Sequence, residues 1–233
     1  MDKTIVFTMD VDWAPDDVCY ECVKFFNFKN VPFTAFCTHK SDFWSEIGSE
    51  ENIEIGIHPD FSRSDNYLQC INSLLELYPQ TVGSRSHRNM DGRPITDALK
   101  DAGLSYHSNK ILFGQKNLKP LITYNGLIEI PYYWEDGYHL ELNLPLSKNQ
   151  INIEQEGVMI FNVHPMALYL NLSDDLVRKE ATYKIKDLTN TNKHMFESFI
   201  NHSRGIRDLT SDLIDELREK GYKFYTLRNF LKI

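Results

Sequence analysis

The sequence predicts an α/β fold built on parallel strands, either a doubly wound sheet or a (β/α) barrel. Three observations carry this. Apolar strand-like runs alternate with amphipathic stretches from end to end, and no repeat, low-complexity tract or linker interrupts the alternation. Size is the third: 233 residues, 42% of them hydrophobic, suffice for a single barrel domain over 1–233 and exclude the disordered and fibrous classes.

The elements follow in order. An apolar strand at Thr4–Met9 leads into a helix at Pro15–Phe28. Strands at Phe33–Cys37 and Ile53–Ile57 precede a helix at Asn66–Leu77. A strand at Val82–Ser86, a helix at Ile95–Ala102 and strands at Leu104–Tyr106, Leu127–Tyr132 and Val158–Val163 come next. The polar stretch 187–203 either covers the cleft or crosses the surface. The helix Gly205–Lys220 carries Ile206, Leu209, Leu213, Ile214 and Leu217 as a 3.6-period stripe and stops at Gly221, before a last strand at Lys223–Thr226.

Composition narrows the function. The net charge of −8, with both signs mixed along the chain, lacks the basic stripe that a nucleic-acid partner demands. No segment approaches the roughly 20 apolar residues of a transmembrane helix, and Met1-Asp2-Lys3-Thr4 runs directly into a strand, leaving no room for a signal peptide. Four cysteines make no disulfide framework, so the expected compartment is reducing and cytoplasmic. Cys19 and Cys22 form a C-x-x-C inside a helix with no second pair, which reads as core rather than as a redox or zinc motif. No Gly-rich phosphate loop follows any strand, so dinucleotide and Walker-type sites are unsupported.

The informative residues stand at strand ends, where barrels and open α/β sheets place their chemistry. Residues two apart on a strand share a face, so Asp10 and Asp12 point the same way if the strand stays extended. Arg85 and His87 pair likewise, as do Asn162 and His164, while His58 lies opposite the Ile53, Ile55, Ile57 face. Proline after His58 and after His164 suits the last residue of a strand. A lone Asp there is ordinarily a cap and a lone His ordinarily a satisfied side chain, the reading given to His39, His107, His139, His194 and His202. Two carboxylates and three imidazoles at one mouth mean more.

One carboxylate and two imidazoles make an open site for a divalent ion; ligand type alone does not choose among zinc, iron, cobalt, nickel and manganese, and zinc is the expected ion. Such an ion acidifies bound water towards about pH 7 and polarises a carbonyl. A second carboxylate can then take the water's proton, and a facing imidazole can protonate a departing amine.

Thr8-Met9-Asp10-Val11-Asp12-Trp13 resembles the first motif of the polysaccharide deacetylases (the NodB homology domain, carbohydrate esterase family 4). Glu54-Ile55-Gly56-Ile57-His58-Pro59 resembles the second, Arg85 stands where the third has its arginine, and Phe161-Asn162-Val163-His164-Pro165 resembles the last. The resemblance spans residues 4 to 230. It implies an irregular (β/α) barrel of seven to eight strands that removes acetyl from an N-acetyl sugar. Asp10 would be the base, Asp12 the metal carboxylate, His58 a metal histidine and His164 the acid. Arg85 would hold the base, tethered by an acidic residue of Trp134-Glu135-Asp136, with Asp136 preferred. The chain departs from the motifs twice. Val11 separates the usually adjacent aspartates, which leaves the order of their roles open. The second metal histidine, expected four residues after His58, is Ser62 here, and His87 is the substitute, since neighbouring strands lie about 4.8 Å apart.

The expected substrate is a carbohydrate, an N-acetylated intermediate of surface-glycan assembly linked to nucleotide or lipid. Deformylation of a formamido sugar needs the same chemistry, and a ureide or imide hydrolase is the second enzyme class. An inactive sugar-binding homologue is the third reading, separated from the others by metal content. Tyr132, Tyr133 and Trp134 would either stack on a sugar or form the edge of the core.

Overall fold

The computed structural model describes residues 3–48, 50–154, 156–184 and 188–233; Met1, Asp2 and Asp187 of the stretches above lie outside them. Its strands are β1 (Thr4–Asp10), β2 (Phe33–Cys37), β3 (Ile53–Ile57), β4 (Gly83–Ser84), β5 (Tyr106–His107), β6 (Leu121–Ile122), β7 (Ile128–Glu129), β8 (Trp134–Glu135), β9 (Met159–Val163) and β10 (Lys223–Tyr225). The helices are α1 (Asp16–Phe28), α2 (Asp42–Ile47), α3 (Tyr67–Leu77), α4 (Arg93–Asp101), α5 (Asp136–Glu141), α6 (Pro165–Leu170), α7 (Asp175–Lys184), α8 (Ile206–Glu219) and α9 (Leu227–Leu231).

The strands form one sheet in the order β6-β7-β5-β4-β3-β2-β1-β9-β8, with β10 also on β1. Every pairing is parallel except β6 with β7, and the sheet curls into an irregular, incomplete barrel with helices outside. The (β/α) architecture read from the sequence is therefore the observed one.

Pairing of Thr8 with Thr34 and with Asn162, and of Thr34 with Glu54, puts one side-chain set on the concave face. Phe7, Phe33 and Phe161 fall on the other face. Phe7 stacks on Phe161 at 5.4 Å and Phe33 on Phe26 of α1 at 4.8 Å, while Phe7 meets Phe26 tilted at 5.7 Å, forming the layer between sheet and helices. The concave interior is polar but satisfied. Glu54 accepts hydrogen bonds from Thr34 Oγ1, Tyr106 Oη and the Arg228 amide, so the N-terminus of α9 closes that end of the barrel. The C-terminal strand ends stay open.

Predicted and observed boundaries agree within a residue or two for β1, β2, β3, β9 and α8, and diverge where the barrel is irregular. The run Leu127–Tyr132 pairs as a strand only at Ile128–Glu129, and Pro131, which has no N–H to donate, separates it from β8. All four cysteines are free. Cys19 and Cys22 are buried against the backbone carbonyls of Ala14 and Pro165, and burial pushes both thiols well up, as expected of core residues. Among the described residues, no helix is long and apolar enough to cross a membrane.

Candidate active site

The strand ends open into a cleft of about 650 Å³ lined by Asp10, Asp12, His58, His87, Asp136 and His164, with other residues. Each arrives by a different local device.

Asp10 is the last residue of β1 and is buried. Its Oδ1 accepts from Arg85 Nη1 at 2.9 Å and its Oδ2 from Asn162 Nδ2 at 2.9 Å. Arg85, fully buried, also donates to Thr8 Oγ1, Asn162 Oδ1 and the Ser108 carbonyl, and its guanidinium lies 4.7 Å from the Phe36 ring centroid and 4.2 Å from that of Tyr132. A planar, forked cation between two rings can hold a carboxylate in one orientation.

Asp12 does not continue the strand. The expectation that period-2 geometry aligns it with Asp10 fails, because Asp12 and Trp13 both take left-handed backbone, φ 46° and 58°, and the Ala14 amide closes the turn on the Val11 carbonyl. The turn folds the carboxylate back over the strand ends. Asp12 Oδ1 lies 3.2 Å from His58 Nε2 and 3.0 Å from His87 Nδ1.

His58 follows β3, and its Nδ1 contacts the Arg85 carbonyl at 2.8 Å, which turns Nε2 towards Asp12. His87 lies beyond the two residues of β4. The extended path nevertheless continues alongside β3, with the Arg85 amide donating to the Ile57 carbonyl and the His87 amide to that of Pro59. That pairing sets His87 beside His58, ring centroids 5.5 Å apart and nearly perpendicular. Ligand atoms of Asp12, His58 and His87 all lie within 4.8 Å of one another. Two imidazole nitrogens and a carboxylate oxygen so gathered fit a divalent transition ion with open positions. Asp10, tied to Arg85, is not one of the three.

His164 faces them. Asp136, fully buried, accepts from the His164 amide at 2.7 Å and bonds Nδ1 at 2.6 Å, leaving Nε2 in the cleft 3.6 Å from Asp12 Oδ2. Asp136 thus holds the histidine and not Arg85, whose contacts are Asp10, Thr8, Asn162 and Ser108; the expected tether of the arginine by Asp136 is not formed. Burial opposes the charge on His164, but the Asp136 carboxylate raises its pKa well above the ordinary histidine value. Burial likewise opposes ionisation of Asp12, yet hydrogen bonds from His58 and His87 and the charge of His164 hold it well below the carboxylate range.

Tyr132, Tyr133 and Trp134 are buried, with their polar atoms bonded inside the protein, and form the edge of the core. Tyr132 also lines the cleft, together with Trp13 and Tyr138, whereas Tyr133 and Trp134 do not. Trp13 meets the His87 ring edge-on at 4.9 Å. Adjacency to Asp12 is the one signal in the sequence for Trp13; Glu135 falls in the acidic stretch Trp134-Glu135-Asp136, and Tyr138 and Asn89 carry no signal.

A family model for WbmS-like polysaccharide deacetylases matches residues 7–182. The chain belongs to that family. Among solved structures, this polysaccharide deacetylase-family chain is similar to a Bordetella bronchiseptica protein described as a polysaccharide deacetylase involved in O-antigen biosynthesis. That match has a TM-score of 0.83 at 22% identity, covering 92% of this chain and 90% of the other. It is also similar to a family 4 carbohydrate esterase from Bacillus anthracis, at TM-score 0.54 and 16% identity over 99% and 83% of the two chains. A family 4 acetyl xylan esterase from Clostridium thermocellum, in complex with a cobalt ion, aligns at TM-score 0.56 and 13% identity over 99% and 91%. No curated protein matches the sequence.

Proposed function

We propose that the chain is a metal-dependent N-deacetylase acting on an acylamino sugar. The observation that carries this reading is the convergence of Asp12, His58 and His87 opposite the His164–Asp136 pair, with Asp10 held beside them by Arg85. A divalent ion, zinc in this proposal, would be held by those three side chains, lower the pKa of a bound water and polarise the acyl carbonyl. Asp10 accepts the proton of the attacking water, because Arg85 and Asn162 fix its carboxylate without closing the cleft to it. Nucleophilic oxygen joins the acyl carbon, the carbon–nitrogen bond breaks, and His164 Nε2 gives its proton to the departing amine. Asp136 keeps that imidazole charged and aimed.

Trp13 and Tyr138 offer the cleft apolar faces for a sugar ring. The Bordetella protein's description, of O-antigen biosynthesis, favours a surface-glycan intermediate as substrate; in this proposal that intermediate is nucleotide- or lipid-linked and met in the cytoplasm.

The test joins metal analysis to acetate release from free and uridine-diphosphate-linked N-acetylhexosamines. Stoichiometric transition metal with acetate release is expected; absence of both would leave an inactive sugar-binding homologue. Asp10→Asn is expected to keep the metal and slow turnover about 10²-fold or more, and full activity in that variant would remove Asp10 as the base.

A further inference from the structure

The cleft contains a carboxyl that the proposed reaction does not use. Glu135, at the end of β8, lines the cleft beside Asp136. Its Oε2 accepts a hydrogen bond from Tyr132 Oη at 2.9 Å, and Tyr132 in turn accepts from Asn89 Nδ2 at 2.7 Å. Asn89 reaches it because Arg88 and Asn89 both adopt left-handed backbone, φ 57° and 53°, just after His87. Tyr132 Oη lies 2.9 Å from both Asn89 Oδ1 and Glu135 Oε2, and with its one hydrogen directed at Glu135 it fixes one carboxyl oxygen.

The other oxygen has no hydrogen-bond partner among the described residues, and no cation pairs with the group. A Cβ built on Gly137 would come 2.9 Å from Glu135 Oε1 and 4.0 Å from His164 Cε1, so that oxygen and the acid's ring flank the same glycine. Burial, opposed by the charge of His164 and reinforced by the carboxylates of Asp10 and Asp136, pushes Glu135 up to about 6. Glu135 is half-buried and lines the cleft, so its unfilled oxygen is open to water and to a ligand donor that displaces that water. The completing group must be a donor. When a sugar's acylamino nitrogen meets His164, the donor one carbon away is the neighbouring hydroxyl.

We propose that Glu135 determines specificity by accepting, through Oε1, a hydrogen bond from the sugar hydroxyl vicinal to the scissile acylamino group. This rests on the deacetylase reading, and its substrate class is an acylamino sugar whose vicinal hydroxyl is free. Tyr132 and Asn89 are positioning residues for that carboxyl.

The experiment uses the full-length, metal-loaded protein. It measures kcat and KM for the best N-acetylhexosamine of the panel and for its analogue with the vicinal hydroxyl replaced by hydrogen. Wild type is expected to lose about 10- to 100-fold in kcat/KM on deoxygenation, mainly through KM, as loss of a hydrogen bond to a charged group implies. Glu135→Ala is expected to show a similar loss on the parent sugar and to be nearly indifferent to deoxygenation, with metal content unchanged. Glu135→Gln, which retains an acceptor, should recover part of the loss. Should the alanine variant not fold, the deoxygenation penalty of Glu135→Gln against that of wild type decides, a smaller one being expected. A variant penalised by deoxygenation as much as wild type, or one equal to wild type on the parent sugar, overturns the assignment alone. No acetate release by wild type from any sugar overturns the deacetylase reading and this assignment with it.

Discussion

Asp12 and Trp13 are consecutive side chains in left-handed backbone, a conformation that costs about 1–2 kcal/mol per residue. The turn persists because it delivers a carboxylate that the strand cannot. A straight continuation of β1 would carry Asp12 onward, away from the imidazoles that flank it at 3.2 and 3.0 Å. His87 joins Asp12 and His58 from the chain beyond β4. Its side chain is mostly buried and its amide is bonded to the Pro59 carbonyl, so removing the ring leaves the backbone path intact. His87→Ala is expected to fold normally and to weaken metal binding by more than about 100-fold, beyond what loss of an outer partner costs. Competition with a chelator measures this; undiminished affinity would take His87 out of the ligand set.

At the level of elements, the strands are shortest from β4 to β8. β4 pairs through only two residues, and a Cβ on Gly83 would lie 1.9 Å from Tyr106 Cζ. The ring cannot slide aside, because Tyr106 Oη donates to Glu54 at 2.8 Å and Glu54 in turn accepts from Thr34 and the start of α9. Gly83→Ala is accordingly expected to cost about 3 kcal/mol, at the upper end of overpacking substitutions. The urea midpoint reports it, and a loss below about 1 kcal/mol would mean that the ring has room to move. The same closeness explains how β4 hands Arg85 and His87 to the cleft: glycine lets β5 and its tyrosine approach, and the chain beyond then runs along β3.

Across the whole molecule, buried ionisable groups outside the cleft make stability depend on pH. Glu129 is pushed up to about 7, chiefly by burial, while burial pushes His107, 3.7 Å away, down to about 3. The histidine is neutral above that value, so the two form no ion pair near neutrality. A raised folded-state pKa means that native Glu129 holds its proton more tightly than the unfolded chain does. Its contribution is fully present below about pH 4.5 and is lost as pH rises through about 7. Wild type should therefore lose about 3 kcal/mol relative to Glu129→Gln between pH 4.5 and pH 8. Urea unfolding of both proteins at the two pH values measures the difference. A gap that does not change with pH would show that Glu129 does not titrate in this window.

Fold class, the four long inner strands and the strand-end histidines were legible in the sequence because each rests on local patterning. Strand–helix alternation implies parallel pairing, and apolar runs such as Val158–Phe161 admit no solvent-facing side. His58 and His164 are marked by the prolines that follow them. The left-handed turn at Asp12 was not legible, since period-2 reasoning assumes an extended chain. Nor was the partner of Asp136, because acidic residues near a strand end carry no signal for which side chain they will meet. Tertiary structure decided both: whether Asp136 holds His164 or Arg85, and whether His87 lies beside His58, depends on which strand ends the barrel brings together, and that is set by pairing between segments far apart in the chain.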